Sequence, residues 1–348
     1  MADNNGVRAR TRREFLGSAA AGLAGSFAGI PLLNAATTPA AKGDIPYRSL
    51  GQTGEKVSLL GMGGWQLGRM PDEGFSTRFV RTAIDSGINY LEAAWDYHAG
   101  LSEYRLGKAL LDGWRKKIFL ATKINGRRKD IANWQLEESL RRLRTDVIDL
   151  AIFHEVLHPE EPEIILGPGG ALEAFLEARK AGKIRYIGFS GHYDPSVHIK
   201  LLDLAEKQGF RFDVGMIALN VMDPHYKSFA KTVLPRLAAH GTGVLGFKTM
   251  GGGAFVGPER VLEGIQVTPA DCLRYVMSLP TSVVISGMDT FEILERNVQV
   301  ARGFTPMSEE EVSSLLARTA ESGRTGKFEW FKGQEGLRRT KELHGTYF

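Results

Sequence analysis

The chain has 348 residues, 43% hydrophobic and 24% charged, so it is long enough to bury a large core in one or two domains. Its net charge of +4 gathers at the ends, with Arg8, Arg10, Arg12 and Arg13 near the start and Arg338, Arg339 and Lys341 near the finish. The body is therefore close to neutral, which argues against a nucleic-acid-binding surface, and a single cysteine, Cys272, excludes an intrachain disulfide.

The stretch "TRREFLGSAAAGLAGSFAGIPLL" carries paired arginines (Arg12, Arg13), then Phe15 and Leu16, then a weakly apolar run rich in Ala and Gly. Small residues follow through Ala35, Ala36, Ala40 and Ala41, where a peptidase could cut. This is the layout of a secretion signal, and it resembles the twin-arginine export signal of bacteria. Gly, Ser and Pro31 interrupt the run too often for a stable membrane anchor. Residues 1–41 are expected to be a signal peptide read by the twin-arginine translocase, delivering a folded protein to the periplasm or outside the cell. An unused signal would leave it cytoplasmic, and the competing reading of the segment is a disordered basic arm.

From residue 42 the pattern becomes regular. "YRSLGQTGEKVSLLGMGG" reads as a hairpin turning near Gly51 to Gly54, followed by a strand at Val57–Leu60. Apolar runs then alternate with helical periods. The expected order is helix 75–86, strand 89–91, helix 102–112, strand Ile118–Thr122, helix 132–144 and strand Ile148–Phe153. Helix 170–181, strand Ile184–Phe189, helix 195–208, strand Val214–Ala218 and helix 227–240 follow. Strand Gly243–Phe247, helix 269–279, strand Ser282–Ser286 and helix 290–302 complete the alternation. Eight β–α units over residues 42–320 predict an α/β fold, a (β/α)8 TIM barrel with an N-terminal hairpin, a C-terminal helix at 308–320 and a polar tail at 321–348. A doubly wound sheet is the rival, but "GMGGW" at 61–65 lacks the G-x-G-x-x-G that opens a helix in that fold.

A barrel of this kind works at the C-terminal ends of its strands. Those positions hold Gly63, Gly64 and Trp65; Glu92 and Tyr97; Thr122, Lys123 and Asn125; His154 and Glu155; Ser190, Gly191 and His192; Asn220 and Asp223; Lys248 and Thr249; Ser286 and Gly287. A lysine at a buried strand end needs a partner, which Glu92 can supply to Lys123. A lysine beside a tyrosine hydroxyl favours the phenolate, so Tyr97 is expected to have a lowered pKa and to serve as proton donor. His154 can orient a carbonyl or relay a proton. These groups provide a proton but no electrons, so a hydride must come from a cofactor. Asp96 and His98 either line the pocket or cap the following turn, and Trp65, Trp95 and Phe247 are candidates for an apolar wall. Three histidines (His154, His192 and His225) with Glu155 or Asp223 leave open a zinc or manganese site.

Five segments, in order, resemble the aldo-keto reductase family: "GINYLEAAWDY", "ATK" at 121–123, "DVIDLAIFH" at 146–154, "GKIRYIGFSGH" at 182–192 and "VVISGMDTFEILERN" at 283–297. The resemblance implies NAD(P)H-dependent reduction of a small-molecule aldehyde or ketone, or the reverse, with Tyr97 as proton donor supported by Lys123, His154 and Glu92. It implies cofactor contacts, to NADP or alternatively NAD, from Gly64, Trp65, Ser190, Gly191, Asn220, Phe247, Lys248, Gly251, Gly287, Arg296 and Asn297. The chain also departs from the family. Glu92 replaces an aspartate, so its contact with Lys123 must be re-aimed or lost. Gly191 stands for an asparagine, Met216 for a glutamine and Leu219 for a stacking aromatic. In "GFKTMGGG" the amides of Gly251–Gly253 could approach a pyrophosphate and Lys248 a phosphate, or the glycines form a mobile loop. Ile293 and Arg296 change the usual adenosine contacts. These changes keep open a non-catalytic nucleotide-binding barrel.

Overall fold

The computed structural model describes residues 43–257 and 260–338 together with Ile30 and Leu32. The expected export signal, apart from those two residues, and the tail residues Tyr347 and Phe348 lie outside the described residues.

A two-stranded antiparallel hairpin, β1 (Tyr47–Ser49) and β2 (Lys56–Ser58), precedes eight parallel strands. These are β3 (Leu60–Gly63), β4 (Tyr90–Glu92), β5 (Phe119–Ile124), β6 (Ile148–Phe153), β7 (Ile184–Gly191), β8 (Val214–Ala218), β9 (Gly243–Phe247) and β10 (Val283–Gly287). They follow one another around a closed barrel, which β10 seals by pairing with β3 at Val284↔Leu60 and Gly287↔Gly63. Closure leaves no strand edge, and it forces nearly every strand residue to be buried on one side or the other, so FLATKI and IDLAIF read as continuous runs rather than alternations. Val57, expected within the first barrel strand, belongs to the hairpin opposite Arg48, and the barrel strand begins at Leu60.

Tyr90, Phe119, Leu150, Ile152, Val214, Met216, Leu245, Val283 and Ile285 fill the barrel interior. Leu50 and Val57 of the hairpin pack into the same cluster, so the hairpin plugs the floor. There Thr53 and Glu55 meet Tyr186 and Arg185 at the start of β7. A larger apolar layer lies between the strands and the surrounding helices.

The helices start where short polar side chains can accept the free first-turn amides. Asp72 caps α1 (Glu73–Asp85), and α2 (Leu101–Ala109) and α3 (Lys129–Leu143) follow. Two helices not expected from the pattern, α4 (Glu161–Leu166) and later α8 (Val261–Gly264), flank loops at the mouth. Between them come α5 (Ala171–Lys180), α6 (Pro195–Lys207, capped by Asp194) and α7 (Phe229–Ala239, capped by Ser228). Thr268 and Ser308 form capping boxes on α9 (Pro269–Ser278) and α11 (Glu309–Gly323), with Thr290 capping α10 (Phe291–Arg302) between them. Among the described residues no helix is long and apolar enough to cross a membrane.

Beyond α11 the chain does not run out as a polar tail: it crosses the barrel mouth and buries Glu329, Phe331 and Lys332 there. Lys332 Nζ lies 2.7 Å from Asp223 Oδ1 and 2.9 Å from Glu329 Oε1, with no exposure of any of the three side chains. Asn220 Nδ2 donates to Glu329 Oε1 at 2.8 Å. This strap therefore spans the ends of β7, β8 and β9.

Candidate active site

The turn after β4 carries Tyr97. Three successive residues, His98, Ala99 and Gly100, take left-handed backbone angles, which brings the chain sharply back into α2. Glycine is favoured at 100 by its φ of +88°, and a Cβ there would also have to push the Arg142 guanidinium aside. Gly64, expected at the cofactor, lets the chain after β3 press on β4: a Cβ would collide with the Glu92 carbonyl.

Lys123 lies inside β5 and is buried, and its Nζ sits 2.9 Å from Glu92 Oε1, 2.9 Å from the Ala93 carbonyl and 3.2 Å from Tyr97 Oη. The longer glutamate has kept the lysine contact. Glu92 Oε2 remains buried without a hydrogen-bond partner among the described residues. His154 directly follows β6, with its ring 5.5 Å from that of Tyr97. The four expected catalytic residues thus converge on one phenol.

The expectation that Lys123 lowers the Tyr97 pKa is corrected. Burial holds the phenol well above its usual value, and the negative charges of Glu92, Asp96 and Glu155 push the same way. Tyr97 is therefore a fully protonated donor at neutral pH. Lys123, which donates to its oxygen, is placed to receive the charge when the proton leaves.

Asp96 and His98 do more than cap a turn. Asp96 Oδ1 is 3.4 Å from His154 Nδ1, and the His98 ring lies tilted against Trp65 at 4.4 Å, with Trp65 edge-on to Tyr97 at 5.1 Å. The expected aromatic wall divides. Trp65 stands beside Tyr97, Trp95 packs on Trp134 and Arg142 of α3, and Phe247 faces His192 across the mouth.

The expected cofactor residues form a less uniform group. Ser190 donates to the Phe153 carbonyl at 3.2 Å and accepts from the Glu155 amide at 3.0 Å, so its hydroxyl is already engaged. Gly191 has no room for the family's asparagine, since a Cβ would meet His198 Nε2 and lie 2.6 Å from the Val156 carbonyl. Asn220 is fully buried and shared between Glu329 and the amides of Met222 and Asp223. Leu219 and Met216 are core residues, filling space an aromatic and a glutamine would have to leave. These positions do not fit a carboxamide held by side chains. The phosphate end fits better. Gly251, Gly252 and Gly253 all adopt positive φ, and Lys248 lies beside Phe247, Trp330 and Phe331, its pKa lowered chiefly by burial. Gly287 is exposed at the end of β10, and Arg296 is exposed on α10. Asn297 donates to Ser286 Oγ at 3.0 Å while its Oδ1 is buried without a hydrogen-bond partner among the described residues.

Sequence reasoning passed over the pairing of Glu155 with His192, whose Nε2 lies 2.8 Å from Glu155 Oε1 and whose Nδ1 is 3.2 Å from the Phe331 carbonyl. It also missed Arg127. The histidines of the metal alternative separate, to Asp96, Glu155 and Thr319 respectively. Among the described residues no group of three or more His, Cys, Asp or Glu side chains could hold a metal ion.

A barrel with Tyr, Lys, His and a carboxylate at these strand ends has relatives. Residues 59–267 match the model of the Aldo/keto reductase family. The chain belongs to that family. The uncharacterized oxidoreductase YrpG of Bacillus subtilis is 31% identical over 238 residues, covering 61% of this chain and 69% of its own. L-galactose dehydrogenase of Arabidopsis thaliana is 31% identical over 218 residues, covering 58% and 64%. The aldo-keto reductase YhdN of B. subtilis is 34% identical over 162 residues, so this chain spans 47% of that relative's length. Aldo-keto reductase AKR11C1 from Bacillus halodurans, in its holo form, has a TM-score of 0.67 at 27% identity, covering 80% of this chain and 99% of its own. As an aldo-keto reductase, the chain has Tyr97, Lys123 and His154 at the positions the family resemblance implies and departs from it at Glu92, Gly191, Met216 and Leu219.

Proposed function

We propose that the protein reduces an aldehyde or ketone with NAD(P)H, and runs the reverse oxidation, using Tyr97 as the proton donor. The observation that carries this reading is the Glu92–Lys123–Tyr97 chain, with contacts of 2.9 and 3.2 Å, beside His154. The carbonyl oxygen takes the Tyr97 proton, the phenolate is stabilised by Lys123, and Glu92 pairs with Lys123 and aims it. When bound, the reduced nicotinamide supplies the hydride to the carbonyl carbon. Lys248, the amides of Gly251–Gly253 and Asn297 are the residues that would hold the nucleotide, and Trp65 would face the substrate. NADP is the proposed form, supported by the family and by Arg296; NAD is the second reading, favoured by the acidic Asp289 and Glu292 at the start of α10.

Tyr97→Phe is expected to lower kcat by about 10²–10⁴-fold while leaving nucleotide affinity intact. Unchanged turnover would remove Tyr97 from the reaction. Denaturing the purified protein and assaying the supernatant for NADP and NAD identifies the nucleotide directly. Export through the twin-arginine route is part of the proposal, motivated by Arg12 and Arg13 ahead of the Ala/Gly run. Cell fractionation that finds the chain uncleaved in the cytoplasm would overturn it.

A further inference from the structure

Asp96 stands directly before Tyr97, and the reaction above does not use it. Its side chain is 3% exposed, and its Oδ1 lies 3.4 Å from His154 Nδ1, itself on a side chain only 3% exposed. Asn125 Nδ2 donates to the second Asp96 oxygen at 2.7 Å, and Asn125 Oδ1 lies 3.3 Å from the same His154 nitrogen. An amide whose nitrogen points at a carboxylate can offer the imidazole only its oxygen. His154 Nδ1 therefore faces two acceptors, so it is the ring nitrogen that carries hydrogen.

The surrounding backbone fixes this arrangement before any ligand arrives. The amides of Asn125 and Gly126 both donate to Gln135 Oε1, at 2.9 and 2.8 Å. Buried Arg127 donates to the carbonyls of Asn125, His154 and Glu155 at 2.8, 2.6 and 3.0 Å. Its Nε pairs with Glu161 Oε1 at 2.9 Å, and Glu161 Oε2 accepts the Leu157 and His158 amides. The loops after β5 and β6 are thus stapled into one block that presents Asn125 and His154 together. The turn bearing Asp96 reaches that block from β4, with the Trp95 amide donating to the Lys123 carbonyl at 2.9 Å.

We infer that Asp96 is a positioning residue for the reaction: with Asn125 it fixes the tautomer and plane of His154, leaving Nε2 as the bare acceptor nitrogen beside Tyr97, which remains the proton donor. A base oriented by a third group is the general form of such a triad. The inference rests on the carbonyl-reductase reading for its catalytic meaning, but the tautomer is a property of the protein itself.

Nitrogen-15 NMR of the histidine rings in the full chain tests it, with His154→Gln used to assign the signal. The expected spectrum shows neutral His154 protonated at Nδ1 with a bare Nε2. Asp96→Asn should shift the ring toward the Nε2-protonated form and lower kcat by about ten- to hundredfold with KM little changed. Asp96→Glu, which keeps the charge, should recover part of both. A wild-type spectrum with the proton on Nε2 overturns the inference, whether or not any variant folds. So does an Asp96→Asn protein with the wild-type spectrum and wild-type kcat. The expected spectra in a protein that reduces no carbonyl would leave the tautomer standing and sink the reductase reading instead.

Discussion

Glu92 shows how a single methylene is absorbed. Its carboxylate reaches Lys123 at 2.9 Å from a strand only three residues long, with both side chains nearly inaccessible. Glu92→Gln would leave a buried lysine without its charge partner, and chemical denaturation should register a loss of about 3–5 kcal/mol. Glu92→Asp, the family's own residue, should lower kcat here because the shorter chain withdraws from a lysine placed for the longer one. His198 makes a second residue-scale prediction. Burial among Phe189, Phe229 and the β7 backbone lowers its pKa to about 3, with His192 the next contributor. The unfolded chain therefore binds this proton between about pH 6.5 and 3 and the folded chain does not. The neutral histidine's contribution is fully present above pH 6.5 and is lost as pH falls through that window. His198→Phe should flatten the decline in denaturation midpoint between neutral pH and pH 4. The tetrad was legible because tyrosine, lysine and histidine at strand ends are rare enough to be noticed. Asp96 was not, because an aspartate in a turn is far more often a cap, and only the fold brings His154 against it.

At the scale of elements, the eight strands were readable because closure buries both faces and selects unbroken apolar runs. The same property hid their limits. Val57 and Leu60 sit in one apolar run, yet the hairpin claims Val57 and the barrel claims Leu60. Lys123, Ser190 and Gly191 lie within strands although their polarity or small size reads as a strand end. Helix starts were clearer, since caps are local. Ser308 accepts the Glu311 amide while Glu311 accepts that of Ser308. Ser308→Ala should cost about 1 kcal/mol, read as a lowered melting temperature with no change in kinetics.

At the scale of the whole molecule, the strap was illegible in sequence: Trp330 and Phe331 stand among polar residues with no period, and Glu329 and Lys332 find Asn220 and Asp223 each 109 positions away. Lys332→Met should leave Asp223 and Glu329 as buried carboxylates without a cation and destabilise the fold by about 3–5 kcal/mol, measurable by chemical denaturation. Burial pushes Glu329 up to about 7 even beside Lys332, so the folded chain holds that proton where the unfolded chain releases it. Its contribution is present below about pH 4.5 and fades as pH rises through 7, opposite in sign to that of His198. The hairpin plugs the floor and the strap lies over the ends of β7, β8 and β9, so these two segments mark opposite ends of the barrel. A molecule held to a surface through the hairpin would therefore stand with its catalytic opening turned toward the surrounding solution. One held through the strap would press that opening against the support. Immobilisation through the exposed hairpin residue Lys56 and through the exposed Lys327 beside the strap should accordingly differ in the access they leave to bulky substrates.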